Sequence, residues 1–149
     1  MSQVSAVAAA HIHAPAKQVA ETLADYAIAR PQILPAQYTD YAVRSGGSGA
    51  GTVVQWKLHA SEKRVRDCAI TVTSPEDGVL VETDANSSMV TTYTVVASED
   101  GHASVVIETT WNGAGGIGGF FERTFAPKAL TKIYDELLAK LADRVQARA

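Results

Sequence analysis

The chain has 149 residues, of which 46% are hydrophobic and 19% charged, and this balance excludes an intrinsically disordered protein. Its length is typical of one domain with a core of its own, so we expect a single domain over residues 1–149. The formal net charge is −3 and the sequence has no basic stripe, which argues against a nucleic-acid-binding protein.

The cysteine content and the hydropathy of the chain indicate its cellular compartment. A lone cysteine, Cys68, cannot form an internal disulfide, so nothing in the sequence indicates an oxidising environment. No segment approaches the ~20 consecutive apolar residues that a membrane-spanning helix needs. The N-terminal segment also lacks the positively charged start of a signal peptide. We therefore expect a cytoplasmic protein without stable membrane insertion.

The N-terminal part predicts a strand followed by two short helices. The segment Val4–His13 is rich in alanine with interspersed Val and Ile, as in a short strand. Ala14-Pro15 opens a helix, because the missing N–H of proline costs nothing in a first helical turn. The apolar stripe of this helix consists of Val19, Leu23 and Tyr26. Two prolines then limit a second helical piece to Pro31–Leu34.

From Tyr41 to Trp111 the apolar residues recur at every second position, which is typical of strands with one covered face. The segment Val54–Leu58 shows this alternation clearly. Turn signals divide the region at Ser45–Gly51, Ser74–Gly78, Asp84–Ser88 and Ser98–Gly101. Because parallel strands need long crossovers, connections this short predict an antiparallel meander.

The C-terminal part predicts one long helix from about Gly119 to Arg144, kinked or restarted near Pro127. Its apolar stripe consists of Leu130, Ile133, Tyr134, Leu137, Leu138, Leu141 and Val145. A stripe this wide must pack against a sheet. We therefore predict an α+β fold in which a curved antiparallel sheet of about seven strands wraps around the long C-terminal helix.

Several short motifs, in this order and spacing, resemble the START-like (Bet v 1-like) superfamily, in its bacterial polyketide cyclase/dehydrase branch. They are Ala14-Pro15 with Val19, Leu23 and Asp25, then Leu34-Pro35, Gly51-Thr52 with Trp56, Phe121-Glu122-Arg123, and Ala126-Pro127 running into Leu130, Tyr134, Leu137 and Leu141. The resemblance implies a helix-grip fold with a ligand cavity. It does not imply one reaction, because relatives include cyclases, carriers and pigment- or quinone-binding proteins.

One departure from the family pattern concerns the cavity entrance. Many relatives have a tryptophan between the two short helices and the next strand. This chain has Arg30-Pro31-Gln32-Ile33-Leu34 in that stretch, which leaves the form of the entrance open.

Aromatic and apolar residues of the strands and the long helix are the predicted cavity lining. The candidates are Trp56, Cys68, Ile70, Met89, Tyr93, Ile107, Trp111, Phe121, Phe125 and Tyr134. Ligand sites are mostly apolar with a few polar groups that orient the guest, and Tyr and Trp combine both properties. The same residues also suit a plain hydrophobic core, and that alternative stays open.

Three polar residues are the candidates for chemistry in such a cavity. The alternation through Cys68 turns Arg66 inward, where its guanidinium would pair with a ligand carboxylate or enolate; a solvated arginine at the sheet edge is the alternative. Tyr93 and Tyr41 would polarise a carbonyl or move a proton.

Two glycine-rich segments imitate nucleotide-binding motifs. Gly113–Gly118 satisfies G-x-G-x-x-G, but no second parallel strand follows to carry the acidic residue of a dinucleotide site. Gly46–Gly51 lacks the lysine of a phosphate-binding loop. We interpret the first as a flexible connection. The second is predicted to be a mobile hairpin loop near the cavity mouth, where it would gate access.

Histidine and cysteine give no clear reactive site. His11 and His13 share one strand face, but no acidic or thiol partner lies near them in sequence, so we predict surface histidines and no metal. His59 and His102 fall at a strand end and a turn, where exposure is expected. Cys68 lies in an apolar alternation and is expected to act as a small buried hydrophobe.

The sequence therefore favours a protein that binds or carries a small hydrophobic or aromatic molecule, without a cofactor, as a monomer or weak dimer. A polyketide cyclase or dehydratase that uses Arg66, Tyr93 or Tyr41 is the second hypothesis. The third is a protein-interaction module whose cavity is filled by its own side chains. Convergence of the polar groups in one cavity would separate the second hypothesis from the first.

Overall fold

The computed structural model describes residues 3–61, 64–112 and 127–146. Its elements are β1 (Gln3–Ile12), α1 (Ala16–Ala24), α2 (Ala29–Ile33), β2 (Tyr38–Ser45), β3 (Val53–Ser61), β4 (Arg64–Thr73), β5 (Val79–Asp84), β6 (Val90–Ala97), β7 (Ala103–Asn112) and α3 (Pro127–Gln146). This order confirms the predicted α+β helix-grip fold with two short helices after the first strand. The predicted helix start at Gly119 and the Gly113–Gly118 motif lie outside the described residues.

The seven strands form one antiparallel sheet in the order β1-β7-β6-β5-β4-β3-β2. From β2 to β7 each strand pairs with the next one along the chain, which is the predicted meander. β1 pairs with β7 over its whole length, so the first strand closes one edge of the sheet beside the last.

One face of the sheet is buried, and α3 helps to cover it. In β7 every second residue is buried, from Ala103 to Trp111. All seven residues of the predicted stripe of α3 are buried as well. The helix packs against β1 and also contacts α1 and α2. Since burying one large apolar side chain contributes about 1.5–3 kcal/mol, this shared core is the main source of stability.

A bulge in β2 changes which of its residues face inward. Asp40 has a φ of 54°, and the pairing with β3 shifts between Thr39 and Ala42. The extra residue brings both Tyr38 and Tyr41 against Trp56, with ring centroids 5.6 Å and 6.0 Å from the indole. In a regular strand these two tyrosines would lie on opposite faces of the sheet, because they are three positions apart.

The loop Gly46–Gly51 is tied to the segment that follows α1. The carbonyl of Gly47 accepts hydrogen bonds from the N–H groups of Tyr26 (2.9 Å) and Ala27 (3.1 Å), and the N–H of Gly49 donates to the carbonyl of Ala24 at 2.9 Å. Gly46 has a φ of +71°, and a Cβ atom there would lie 2.8 Å from the Cα of Thr52. The loop therefore needs glycine at this point and holds a defined place beside α1.

Candidate functional site

The predicted cavity lining lies on the buried face of the sheet and on α3. Eight of its ten residues are described and all eight are buried: Trp56, Cys68, Ile70, Met89, Tyr93, Ile107, Trp111 and Tyr134. The other two, Phe121 and Phe125, lie outside the described residues. The register explains the shared face, because Trp56 is paired with Cys68 and Tyr93 with Ile107 across neighbouring strands.

A buried ion pair, which the sequence analysis did not predict, lies against this face. The Arg30 Nη1 atom is 2.7 Å from the Glu82 Oε2 atom, and their side chains are 0% and 3% exposed. The same carboxylate oxygen accepts a hydrogen bond from the Tyr26 hydroxyl at 2.6 Å. Arg30 also donates from Nε to the carbonyl of Leu23 at 3.1 Å and from Nη2 to the Tyr26 hydroxyl at 3.2 Å.

Two tyrosine rings enclose the guanidinium of Arg30. Its carbon lies 4.5 Å from the ring centroids of both Tyr26 and Tyr93, within cation–π distance. Burial is the largest single effect and opposes the charge of Arg30, but Glu82, Tyr26 and Tyr93 together outweigh it and raise the pKa of Arg30 well above its usual value. The group is therefore a fixed cation inside the core, and its orientation is set by Glu82 and Tyr26.

The Tyr93 hydroxyl is the polar group of this cluster that remains available. Arg30 Nη1 approaches it at 3.5 Å as a donor, and among the described residues the hydroxyl itself donates to no acceptor. Burial, and then the nearby Glu82 carboxylate, raise its pKa well above the usual value. Tyr93 is thus a neutral phenol whose proton can be offered to the oxygen of a guest.

A second buried polar chain joins α3 to the sheet. The Tyr134 hydroxyl is hydrogen-bonded to the Thr109 hydroxyl, which lies 2.8 Å from the hydroxyl of Thr91. Burial raises the pKa of Tyr134 to about 12, against the lowering effect of these hydroxyls. This chain satisfies polar groups inside the core and fixes the rotation of α3 relative to β6 and β7.

The three predicted polar candidates are only partly brought together. Tyr41 borders the Arg30 cluster, because its hydroxyl donates to the backbone carbonyl of Tyr26 at 2.7 Å. Arg66 lies two residues before Cys68 on β4, and its Nη2 donates to the carbonyl of Asn86 in the β5–β6 turn at 2.9 Å. Tyr93 and Tyr41 thus both lie next to the Arg30 cluster, while Arg66 is hydrogen-bonded to the β5–β6 turn.

Cys68 is buried opposite Trp56. Burial, and then the negative charge of Asp84, raise the pKa of its thiol above the usual value. The sulfur is therefore a protonated thiol at neutral pH, in a form that is a poor nucleophile.

A cleft leads from the surface to Tyr93. Its volume is about 240 Å³, and α1, the Gly46–Gly51 loop, the β4–β5 turn and the inner residues of β5 and β6 form its walls. Its lining is largely apolar, and Leu23 and Leu80 lie at its inner end with Tyr93. Glu21, Ser74 and Asp77 supply its polar lining. The loop predicted at the cavity mouth thus does border an opening.

The arginine and glutamate of the cluster could have been suspected from local patterns. In β5, Leu80, Glu82 and Asp84 are two apart and all buried, so an acidic residue follows a core leucine on the same face. Arg30 lies one residue before Pro31 in a helix otherwise made of apolar and uncharged residues. Neither pattern shows that the two side chains meet, because 52 positions separate them.

Comparison with known proteins gives a family and a consistent fold. The family described as polyketide cyclase / dehydrase and lipid transport matches residues 3–146. The KanY protein, solved by NMR, is 47% identical and covers 98% of this chain and 99% of its own, with a TM-score of 0.88. No curated protein sequence matches the chain.

Two more distant structures share the fold alone. The Zhui aromatase/cyclase from Streptomyces sp. R1128 is 11% identical over 99% of this chain and 96% of its own, with a TM-score of 0.76. The ginseng major latex-like protein 151 from Panax ginseng is 11% identical over 96% and 97%, with a TM-score of 0.69. None of the described helices is long and apolar enough to cross a membrane.

Proposed function

Since the chain belongs to the polyketide cyclase, dehydrase and lipid-transport family, we propose that it binds or carries a small hydrophobic or aromatic molecule next to Tyr93. This membership confirms the resemblance drawn from the sequence motifs. The family description covers both enzymes and carriers, so the choice between them rests on the chemistry of the site.

The main support is that Tyr93, whose hydroxyl donates to no acceptor among the described residues, lines the cleft with Leu23 and Leu80. Binding sites for small molecules are largely apolar and contain a few polar groups that orient the guest. Leu23, Leu80 and the ring of Tyr93 provide the apolar part, and the unshared phenol proton provides the orienting group. A volume of about 240 Å³ lies just below the usual range of roughly 300–1,000 Å³ and suits a guest of one or two rings.

The arrangement favours a guest that carries a carbonyl or hydroxyl oxygen. Tyr93 stays neutral and has one proton to donate to a guest, while its oxygen accepts from Arg30. The charge of Arg30 is itself balanced by Glu82, and its guanidinium also donates to Tyr26 and Leu23. A fully charged carboxylate would therefore find no free cation in the described part of the cluster, so a neutral oxygen is the better match.

Replacement of Tyr93 by phenylalanine tests this proposal. Aromatic ketones and phenols are titrated into the full chain while tryptophan fluorescence is recorded, since Trp56 and Trp111 lie on the same buried face. We expect Tyr93→Phe to weaken binding about two- to tenfold, which corresponds to one hydrogen bond of roughly 0.5–1.5 kcal/mol. Ligands of the same shape without an oxygen should bind both proteins equally.

The matched control is Tyr41→Phe. The Tyr41 hydroxyl is bonded to the backbone carbonyl of Tyr26 and does not line the cleft, so its loss should leave affinity unchanged. If Tyr93→Phe binds every ligand as the native chain does, or if Tyr41→Phe is the variant that loses affinity, Tyr93 is not the orienting group and the proposal is wrong.

Cyclisation or dehydration of a polyketide-like chain is the second candidate function. It is favoured by the Arg30 contact, because a cation at the phenol oxygen makes Tyr93 a stronger donor to a substrate carbonyl. The test is incubation with a linear poly-β-carbonyl compound, followed by mass spectrometry for a cyclised product that has lost water. Turnover that disappears in Tyr93→Phe would favour the enzyme; binding without product would favour the carrier.

A further inference from the structure

Three histidines from two distant parts of the chain meet at one corner of the sheet. His11 and His13 lie on either side of the buried Ile12 at the end of β1, on the outward face. Ile12 is paired with Ala103, so the register places His13 beside His102, which precedes β7. The ring centroids are 4.9 Å apart for His13 and His102, 5.2 Å for His11 and His13, and 5.6 Å for His11 and His102.

The nitrogens of these rings are close enough to bind one ion. One ring nitrogen from each histidine lies within 4.8 Å of the other two. In a tetrahedral zinc site with bonds of about 2.0–2.1 Å, neighbouring ligand atoms are about 3.3 Å apart. The rings are exposed or half-buried, so small side-chain rotations reach that spacing without moving the backbone.

A carboxylate lies beside two of the three histidines. Asp100 Oδ2 lies 3.2 Å from His11 Nε2 and 3.3 Å from His102 Nδ1, which is the separation of adjacent ligands in a tetrahedron. Its other oxygen, Oδ1, is held in the β6–β7 turn by the N–H of His102 at 3.0 Å and by the hydroxyl of Ser98. This carboxylate is therefore preoriented toward the histidines by the turn that carries it.

We propose that His11, His13, His102 and Asp100 form a binding site for a divalent transition-metal ion of the zinc class. Three imidazoles and one carboxylate suit zinc, and they suit copper still better by the usual order of affinities. The site is separate from the cleft and does not depend on the function proposed for Tyr93. Bound metal would fasten the C-terminal end of the edge strand β1 to the β6–β7 turn.

The test uses the full untagged chain after chelator treatment. Titration calorimetry with zinc chloride should give a saturable one-to-one event. Since a ligand at a hundredfold its Kd stabilises the native state, the Tm should rise by about 5–10 °C at that zinc concentration. NMR should show zinc-dependent shifts of the His11, His13 and His102 ring signals.

Variants separate this site from adventitious binding. His102→Ala and Asp100→Asn should each lose zinc affinity by well over tenfold, because each change removes or weakens one proposed ligand. His59→Ala is the matched control, because His59 lies on β3 beside Thr39 and outside the cluster, and it should bind zinc as the native chain does. All three positions are at least partly exposed, so the metal-free Tm should hardly change.

The proposal is overturned if zinc binding does not saturate. It is also overturned if His102→Ala retains the affinity of the native chain, or if His59→Ala loses as much as His102→Ala.

Discussion

Arg30 shows how a single residue can decide the local architecture of the core. Its guanidinium bonds to the Glu82 carboxylate, the Tyr26 hydroxyl and the Leu23 carbonyl, and thereby connects α1, α2 and β5. A buried pair of this kind is costly to form, because both charges leave water. It is still more costly to break, since the remaining charge is then buried without a partner.

We therefore expect Arg30→Met to lower the free energy of unfolding by about 3–5 kcal/mol, as measured by urea denaturation. The double variant Arg30→Met/Glu82→Leu should recover a large part of that loss, because no uncompensated charge remains. The exposed pair Lys57–Asp40, 3.6 Å apart with side chains 47% and 68% exposed, gives the control. Lys57→Met should cost no more than about 1 kcal/mol. Equal losses for Arg30→Met and Lys57→Met would contradict this account.

At the scale of elements, regular patterns were predictable and their interruptions were not. The alternation of β7 and the stripe of α3 predicted the buried residues correctly, because one covered face imposes a period on the sequence. The bulge at Asp40 has no such signature, since a residue other than glycine adopts the positive φ. Helix α2 begins at Ala29, two residues before Pro31, because proline is tolerated within a first turn.

The bulge gives a direct prediction about β2. A β-branched residue tolerates a φ of 54° poorly, so Asp40→Val should lower the free energy of unfolding by about 1–2 kcal/mol. Asp40→Asn should have little effect, because asparagine adopts this conformation readily. Urea denaturation of the two variants measures the difference. Asp40→Val as stable as Asp40→Asn would mean that β2 runs regularly through this position.

Contacts between elements are the part of the site that the sequence could not supply. His11 and His13 were recognised as a pair, but their meeting with His102 depends on the β1–β7 register. The same holds for Arg30 and Glu82, which come from α2 and β5. The Tyr93 position was predicted from alternation alone, whereas its contact with Arg30 required the folded chain.

At the scale of the whole molecule, the burial of the five tyrosines makes the free energy of unfolding depend on pH in the alkaline range. Burial is the largest cause in each case and raises the pKa of Tyr26, Tyr38, Tyr41, Tyr93 and Tyr134. In the unfolded chain they lose their protons near the ordinary value of about 10. Above that pH the folded chain holds more protons than the unfolded chain, so the free energy of unfolding falls as the pH rises.

This predicts a slope of about 1.4 kcal/mol per pH unit for each tyrosine that stays protonated in the folded chain. Urea denaturation between pH 10 and roughly 11.5 measures the slope, and tyrosinate absorbance follows ionisation directly. Tyr41→Phe should make the slope shallower by one such increment. Tyrosinate absorbance that develops fully near pH 10 in the folded protein would contradict the burial of these hydroxyls.

Native mass spectrometry of the untagged protein tests the central claim, a small guest held beside Tyr93, most directly. The protein is measured as purified and again after incubation with aromatic ketones, phenols and acyl compounds, and any bound molecule is extracted and identified. The account predicts one guest per chain, a neutral apolar molecule with an oxygen, whose occupancy falls in Tyr93→Phe. A protein that shows no bound molecule as purified or with any of the compounds would contradict this claim. That result would favour a protein-interaction module whose cavity is filled by its own side chains.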